Sequence, residues 1–241
     1  GTQTYNPGPP GTFWGKFAIL LGNGDATFSA STYGIHSWSD VSGVWVGDVD
    51  GDGLVDVLAG YANLSTTAVY YGDDSGSWTW GTDLATLYVG EIQLADFDGD
   101  YDVDIQAFGF GSHGFIGGHN GRFQFFDNIG GREFVENPNY VDVSAWANAG
   151  TVGDVDGDGD IDLLYTIGGP SYYAGLMHIV RNFGDFDFQD IDQTYWISPG
   201  PCDIAVADCN NDGALDIFTG YAYNCSVYIT RNSDCFDTDG D

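Results

Sequence analysis

Short apolar runs, each bounded by glycine or aspartate, recur along the chain at a regular interval. One set ends in a small residue: Val44–Gly47, Ile92–Ala95, Thr151–Gly153 and Ile204–Ala207. A second set follows within about ten residues: Val57–Ala59, Ile105–Phe108, Ile161–Tyr165 and Ile217–Thr219. A third comprises Ala68–Tyr71, Phe123–Phe126, Met177–Val180 and Val227–Thr230. Runs of this length and composition between turn residues predict β-strands. Three of the third strands lead into Asn, a turn and Phe (Asn128…Phe134, Asn182…Phe186, Asn232…Phe236), and the remaining unit has Trp78-Thr79-Trp80 there. Each unit thus predicts four short strands in about 50 residues, the pattern of a propeller blade. A β-sandwich has a similar strand count but gives no reason for what lies between the first two strands of every unit.

That feature is an acidic loop. Asp48-Val49-Asp50-Gly51-Asp52-Gly53-Leu54-Val55-Asp56 recurs as Asp96 to Asp104, Asp154 to Asp162 and Asp208 to Asp216, its first aspartates spaced by 48, 58 and 54 residues. Acidic or amide side chains fall at positions 1, 3, 5 and 9. Calcium takes six to eight oxygen ligands in flexible geometry, and carboxylates at alternate positions of a tight loop turn toward one point. The expected ligands are therefore Asp48, Asp50, Asp52 and Asp56; Asp96, Asp98, Asp100 and Asp104; Asp154, Asp156, Asp158 and Asp162; and Asp208, Asn210, Asp212 and Asp216. The position-7 carbonyls of Leu54, Asp102, Asp160 and Ala214 complete the sets. Glycines at positions 4 and 6 supply positive φ; Tyr101 and Asn211 replace two of them, and Asn210 removes a charge, so the fourth site is expected to be weaker. About four Ca²⁺ ions follow. Magnesium wants near-ideal octahedra, and zinc lacks its preferred ligands. Acidic surface turns without metal are the competing reading, which four copies with matching flanks disfavour.

The N-terminal region holds half a unit: Phe17–Leu21 and Ala26–Phe28 match strands three and four, with no acidic loop before them. The expected architecture is all-β, a propeller of four full four-stranded blades plus this half, five-bladed if the chain ends or another molecule supply the rest. The domains read as an extended arm (1–14), the propeller (15–236) and a tail (237–241) that is either plain acid or a truncated calcium loop.

Charge changes the picture next. Thirty-six acidic residues face five basic ones, for a net charge of −31. A disordered acidic chain lacks aromatics, whereas Trp, Tyr and Phe make up 16% here, so the chain folds and its carboxylates need a counter-charge. Nucleic acid is excluded as a partner, because phosphate binding needs clustered Lys and Arg. Anionic membranes are disfavoured likewise, and no stretch approaches the roughly 20 apolar residues of a membrane span. The opening at Gly1 reads as a processed or trimmed chain. Calcium-type loops, four cysteines and a single lysine point to an extracellular or cell-surface location.

The D-x-D-G-D-G-x-x-D loops, together with Leu20-Leu21-Gly22-Asn23-Gly24-Asp25-Ala26-Thr27-Phe28, resemble FG-GAP/VCBS repeats over residues 16–236. The resemblance implies integrin-α-like propeller blades that bind calcium. It implies little about function, since that family includes adhesion receptors, lectins and modules attached to polysaccharide lyases and phospholipases.

Cys202, Cys209, Cys225 and Cys235 all fall in the last unit and permit three pairings. In an up-down meander Cys202–Cys225 would share one rim and Cys209–Cys235 the other; free thiols are the alternative. The Pro- and Gly-rich arm, with Tyr5, Phe13 and Trp14, either wraps its own propeller or adds a strand to another subunit. Such a head-to-tail contact builds a fibre. His113 and His119 lie in a Gly-rich insertion that reads as a surface loop rather than a metal or sugar site. Asn63 and Asn224 fit the N-glycosylation pattern.

No nucleophile elbow, HExxH, Cys–His pairing or phosphate loop is present. The expected function is a non-catalytic adhesion or structural module whose partners are copies of itself or an extracellular protein or glycan. A lectin-like propeller is the alternative, and an accessory domain of a polysaccharide-degrading enzyme comes third.

Overall fold

Both faces of each predicted second strand carry apolar side chains, so each sheet must be covered on both sides. The computed structural model satisfies this by stacking five antiparallel sheets in chain order. It describes residues 16–34, 41–61, 64–110, 121–143, 147–168, 175–197, 201–221 and 226–230. The first sheet pairs β1 (Lys16–Gly22) with β2 (Phe28–Gly34). The second is a meander of β3 (Val41–Gly47), β4 (Asp56–Tyr61), β5 (Thr66–Gly72) and β6 (Trp78–Leu84). The third runs β7 (Tyr88–Ala95), β8 (Asp104–Phe110), β9 (Gly121–Asn128) and β10 (Phe134–Glu136). The fourth is β12 (Ala147–Gly153), β13 (Asp162–Gly168), β14 (Gly175–Asn182) and β15 (Phe188–Ile197), and the last is β16 (Pro201–Ala207), β17 (Asp216–Tyr221) and β18 (Ser226–Thr230).

The unit-by-unit strand order expected from the sequence is therefore present, including a lone pair β1–β2, but β2 starts at Phe28, not Ala26: Ala26 takes φ 65° and Thr27 N–H donates to Asp25 in the turn before it. One unit differs: its fourth strand is split, and β10 and β11 (Val141–Val143) both pair with β9. Asn137-Pro138 lies between them, and proline cannot donate to a ladder. The expected fourth strand of the last unit, the arm, the tail, and His113, His119, Asn63 and Asn224 lie outside the described residues, as do the segments expected to complete a fifth blade.

Alternation with period two explains the stacking. Along β4, Val57 and Ala59 pack toward Ile19 of the first sheet, whereas Leu58 packs toward Val89, Ile92 and Ile105 of the third. Along β13, Leu163 and Tyr165 join the cluster of Phe108, Phe123 and Phe125, whereas Leu164 joins Ile204 and Ile217. One apolar cluster fills each of the four successive joints. The joint between the third and fourth sheets is aromatic, with Phe125 stacked on Phe188 at 4.5 Å and Phe97 edge-on to Phe125 at 5.3 Å. Each large side chain buried this way contributes about 1.5–3 kcal/mol.

A second regularity was not legible in the sequence. The pairing of the first and second strands shifts register once per unit, at Val41/Gly43, Val89/Glu91, Ala147/Ala149 and Pro201/Asp203. A bulge bends its strand and sharpens the twist, so the same bend is placed in all four units.

Candidate metal-binding loops

Each acidic loop joins the first strand of a sheet to the second, and its own backbone ties its carboxylates in place. Asp48 accepts from Gly51 and Gly53 N–H, both at 2.9 Å, Asp50 from Asp52 at 3.2 Å, and Asp52 from Leu54 at 2.8 Å. The pattern recurs through Asp96, Asp98 and Asp100 and through Asp154, Asp156 and Asp158. Positive φ falls at positions 4 and 6 of every loop, as the glycines require: Gly51 and Gly53, Gly99 and Tyr101, Gly157 and Gly159, Asn211 and Gly213. Tyr101 thus adopts the left-handed conformation at φ 76° with its ring in solvent.

The position-9 aspartate is different in kind. Asp56, Asp104, Asp162 and Asp216 are fully buried. Asp104 accepts from Phe97 N–H at 2.9 Å, across its own loop, and from Asn128 N–H at 2.8 Å, on the third strand. Asp162 does the same with Val155 and Asn182, and Asp56 with Val49 and Gly72. In three loops the carboxylates of positions 1, 3 and 9 converge, with oxygens within 4.8 Å of one another: Asp48, Asp50 and Asp56; Asp96, Asp98 and Asp104; Asp154, Asp156 and Asp162. In the fourth, Asn210 stands at position 3 and donates to Asp212 at 2.6 Å, and no such acidic group forms. Three convergent groups of hard oxygen donors, each with one buried carboxylate, fit a divalent cation.

In the sequence Asn128 and Asn182 mark only the approach to a turn. Their side chains join neighbouring loops. Asn128 Nδ2 donates to Val49 O of the preceding unit's loop at 2.9 Å and to Val103 O of its own at 3.1 Å. Asn182 Nδ2 donates to Phe97 O at 2.9 Å, again one unit back. The available signal was the recurrence of an Asn at the end of the third strand, ahead of the turn, in both units.

Burial sets the electrostatics. It raises the Asp104 carboxyl to about 7 and the Asp162 carboxyl to about 6 against two backbone donors each, and raises Asp56 as well. In metal-free protein these groups hold protons that the unfolded chain releases near pH 4. Their contribution is complete below that and is lost as pH rises through about 6–7. The chelated protein should therefore melt at higher temperature at pH 5 than at pH 8, as differential scanning calorimetry would show. With calcium, which needs the ionised carboxylate, the order should reverse.

Beside the first loop lies a cavity of about 480 Å³ lined by Asp52, Tyr71, Asp73, Asp74, Trp80 and Arg132, among others. Cys202, on β16, and Cys209, in the fourth loop, are both exposed, and Cys209 Sγ–H points to Asp216 Oδ2 at 2.5 Å. Cys225 and Cys235 lie outside the described residues. Among the described residues no helix is long and apolar enough to cross a membrane.

Residues 154–219 match the family model of the FG-GAP-like repeat. The match starts at the first aspartate of the third loop and runs through the fourth loop into β17. No curated protein matches the chain significantly.

Proposed function

From the match of residues 154–219 to the FG-GAP-like repeat and the three like loops, we propose that the chain is a calcium-stapled β-propeller module of the cell exterior, non-catalytic, that works by adhesion or assembly. The observation that carries this reading is the convergence of Asp48, Asp50 and Asp56 and their counterparts at one place in three consecutive sheets. Calcium is favoured by the all-oxygen donor sets and by its tolerance of irregular coordination geometry, and extracellular calcium keeps such sites filled. About four ions are expected, through the position-1, -3, -5 and -9 side chains and the position-7 carbonyls named above, with the fourth loop the weakest. The partners are copies of the chain itself or an extracellular protein or glycan, and the arm at 1–14 is the proposed means of self-assembly. Disulfides Cys202–Cys225 and Cys209–Cys235 would clamp the last sheet at both rims.

A lectin-like reading stands second, favoured by the cavity beside the first loop, where the exposed Trp80 and the largely buried Tyr71 sit among carboxylates and Thr79. That volume lies within the range of small-ligand sites.

Negative-stain microscopy with and without chelator tests the assembly reading. Filaments or rings that dissolve on chelation, and monomers after deletion of residues 1–14, are the expected results. Monomers indifferent to chelator would overturn it. A glycan array with no binding would remove the second reading.

A further inference from the structure

The three convergent loops share one carboxylate frame, yet their counter-charges differ. At the first, Arg132 reaches in from the turn between β9 and β10 of the next sheet. Its Nε donates to Asp50 Oδ2 at 2.6 Å and its Nη2 to Asp52 Oδ2 at 3.4 Å. The guanidinium lies 4.3 Å above the Tyr71 ring, and Tyr71 O–H donates to the Arg132 carbonyl at 3.4 Å. Arg132 itself sits at φ 68°, in the left-handed region. The Asp50 side chain it holds is only 4% exposed.

The third sheet's neighbour offers a direct comparison. Arg132 lies four residues after Asn128, and the residue four after Asn182 is Phe186, also at positive φ. Phe186 is buried against Phe97 of the second loop. One turn position therefore grips the preceding loop each time, once by charge and once by apolar contact. The third loop has a cation of its own kind: Arg181, on β14, donates to Asp156 at 2.8 Å. In the third sheet, the position before the matching Asn is Asp127 instead. Among the described residues the second loop has no ion pair, and it carries five aspartates with Asp127 close by.

We propose that Arg132 is a counter-cation supplied by the protein to the first loop, so that the three convergent loops form a graded series in which the second takes calcium most tightly and the first least of the three. This rests on the calcium reading above. A carboxylate oxygen committed to a guanidinium is a poorer ligand, and a fixed positive charge beside a divalent ion opposes its entry. Arg132 is half-exposed, so solvent screens the effect, to roughly tenfold in affinity. In exchange, the first loop stays ordered, and tied to the next sheet, when no ion is bound.

Calorimetric titration of the chelator-stripped full chain with Ca²⁺ tests this, in wild type and in Arg132→Gln, Arg132→Lys and Asp127→Asn. Arg132→Gln should tighten one site about tenfold and leave the site count unchanged. Arg132→Lys should stay near wild type, because the charge remains, and Asp127→Asn should weaken the tightest site several-fold. Should Arg132→Gln fail to fold, the Asp127→Asn isotherm decides alone: an unmoved tightest site overturns the series. Wild-type sites that are unchanged or weaker in Arg132→Gln overturn it too, and leave the calcium reading standing. A wild-type chain that takes up no calcium sinks both.

Discussion

Stripping calcium from the folded chain should lower its melting midpoint by about 20–30 °C. A ligand at 100 times its dissociation constant adds about 2.7 kcal/mol per site, so three well-formed sites together contribute about 8 kcal/mol. That is a large part of a typical domain stability of about 5–15 kcal/mol. For a chain of this size each kcal/mol moves the midpoint by about 2–4 °C. Two features of the molecule make the loss larger than the arithmetic alone. The loops carry most of their negative charge with few cations to answer it, and Asp104 and Asp162 are buried where ionisation without metal is costly. The first and second loops also sit at joints, since Asn128 and Asn182 tie them to the next unit, so disorder in one loosens its neighbour. Circular dichroism melts with calcium, with chelator, and with chelator plus excess magnesium would check this. A chelated midpoint within about 5 °C of the calcium-loaded one would mean that the loops are ordinary turns and that the apolar joints alone hold the sheets.

What the sequence made legible was whatever repeats in register. The four Asp-rich loops, the strands before and after them and the lone β1–β2 pair all follow from local composition and spacing, because period-two alternation and turn chemistry act over a few residues. The positive φ at Tyr101 was legible only by alignment with the glycines of the other loops, since no tyrosine by itself announces it. Features that depend on two units at once were hidden. Asn128 reads as a turn residue until Val49 O of the previous unit is found at the end of its side chain. Arg132 is one of five scattered cations in the sequence, and only the stacking of the second and third sheets brings it onto Asp50. The split of β10 and β11 was hidden for a different reason. The sequence shows a proline after Phe134, but not that the chain would return to β9 beyond it.

Asp104→Ala should be the most damaging single change in the described part of the chain, costing about 5 kcal/mol or more with calcium present. The side chain is fully buried and is the acceptor for Phe97 and Asn128 N–H. Alanine leaves both donors buried without a partner, at about 1–3 kcal/mol each, and removes the second loop's ion, worth about 2.7 kcal/mol. Losses of this size are exceptional for one residue. The Asn128 segment would also lose its anchor, so the hydrogen bond to Val49 O should weaken and calcium affinity at the first loop should fall as well. Asp104→Asn separates the two contributions. It is neutral, the state burial already favours, but keeps an acceptor oxygen for only one of the two N–H donors, so in chelator it should lose about 1–3 kcal/mol, roughly half of what alanine loses there. With calcium it should fall short by about 2.7 kcal/mol more, the value of one site. Urea unfolding of the three proteins in both conditions would show this as a cycle. If Asp104→Asn instead lost as much in chelator as in calcium, the carboxylate at position 9 would be a purely structural anchor and the second loop would not be where an ion is held.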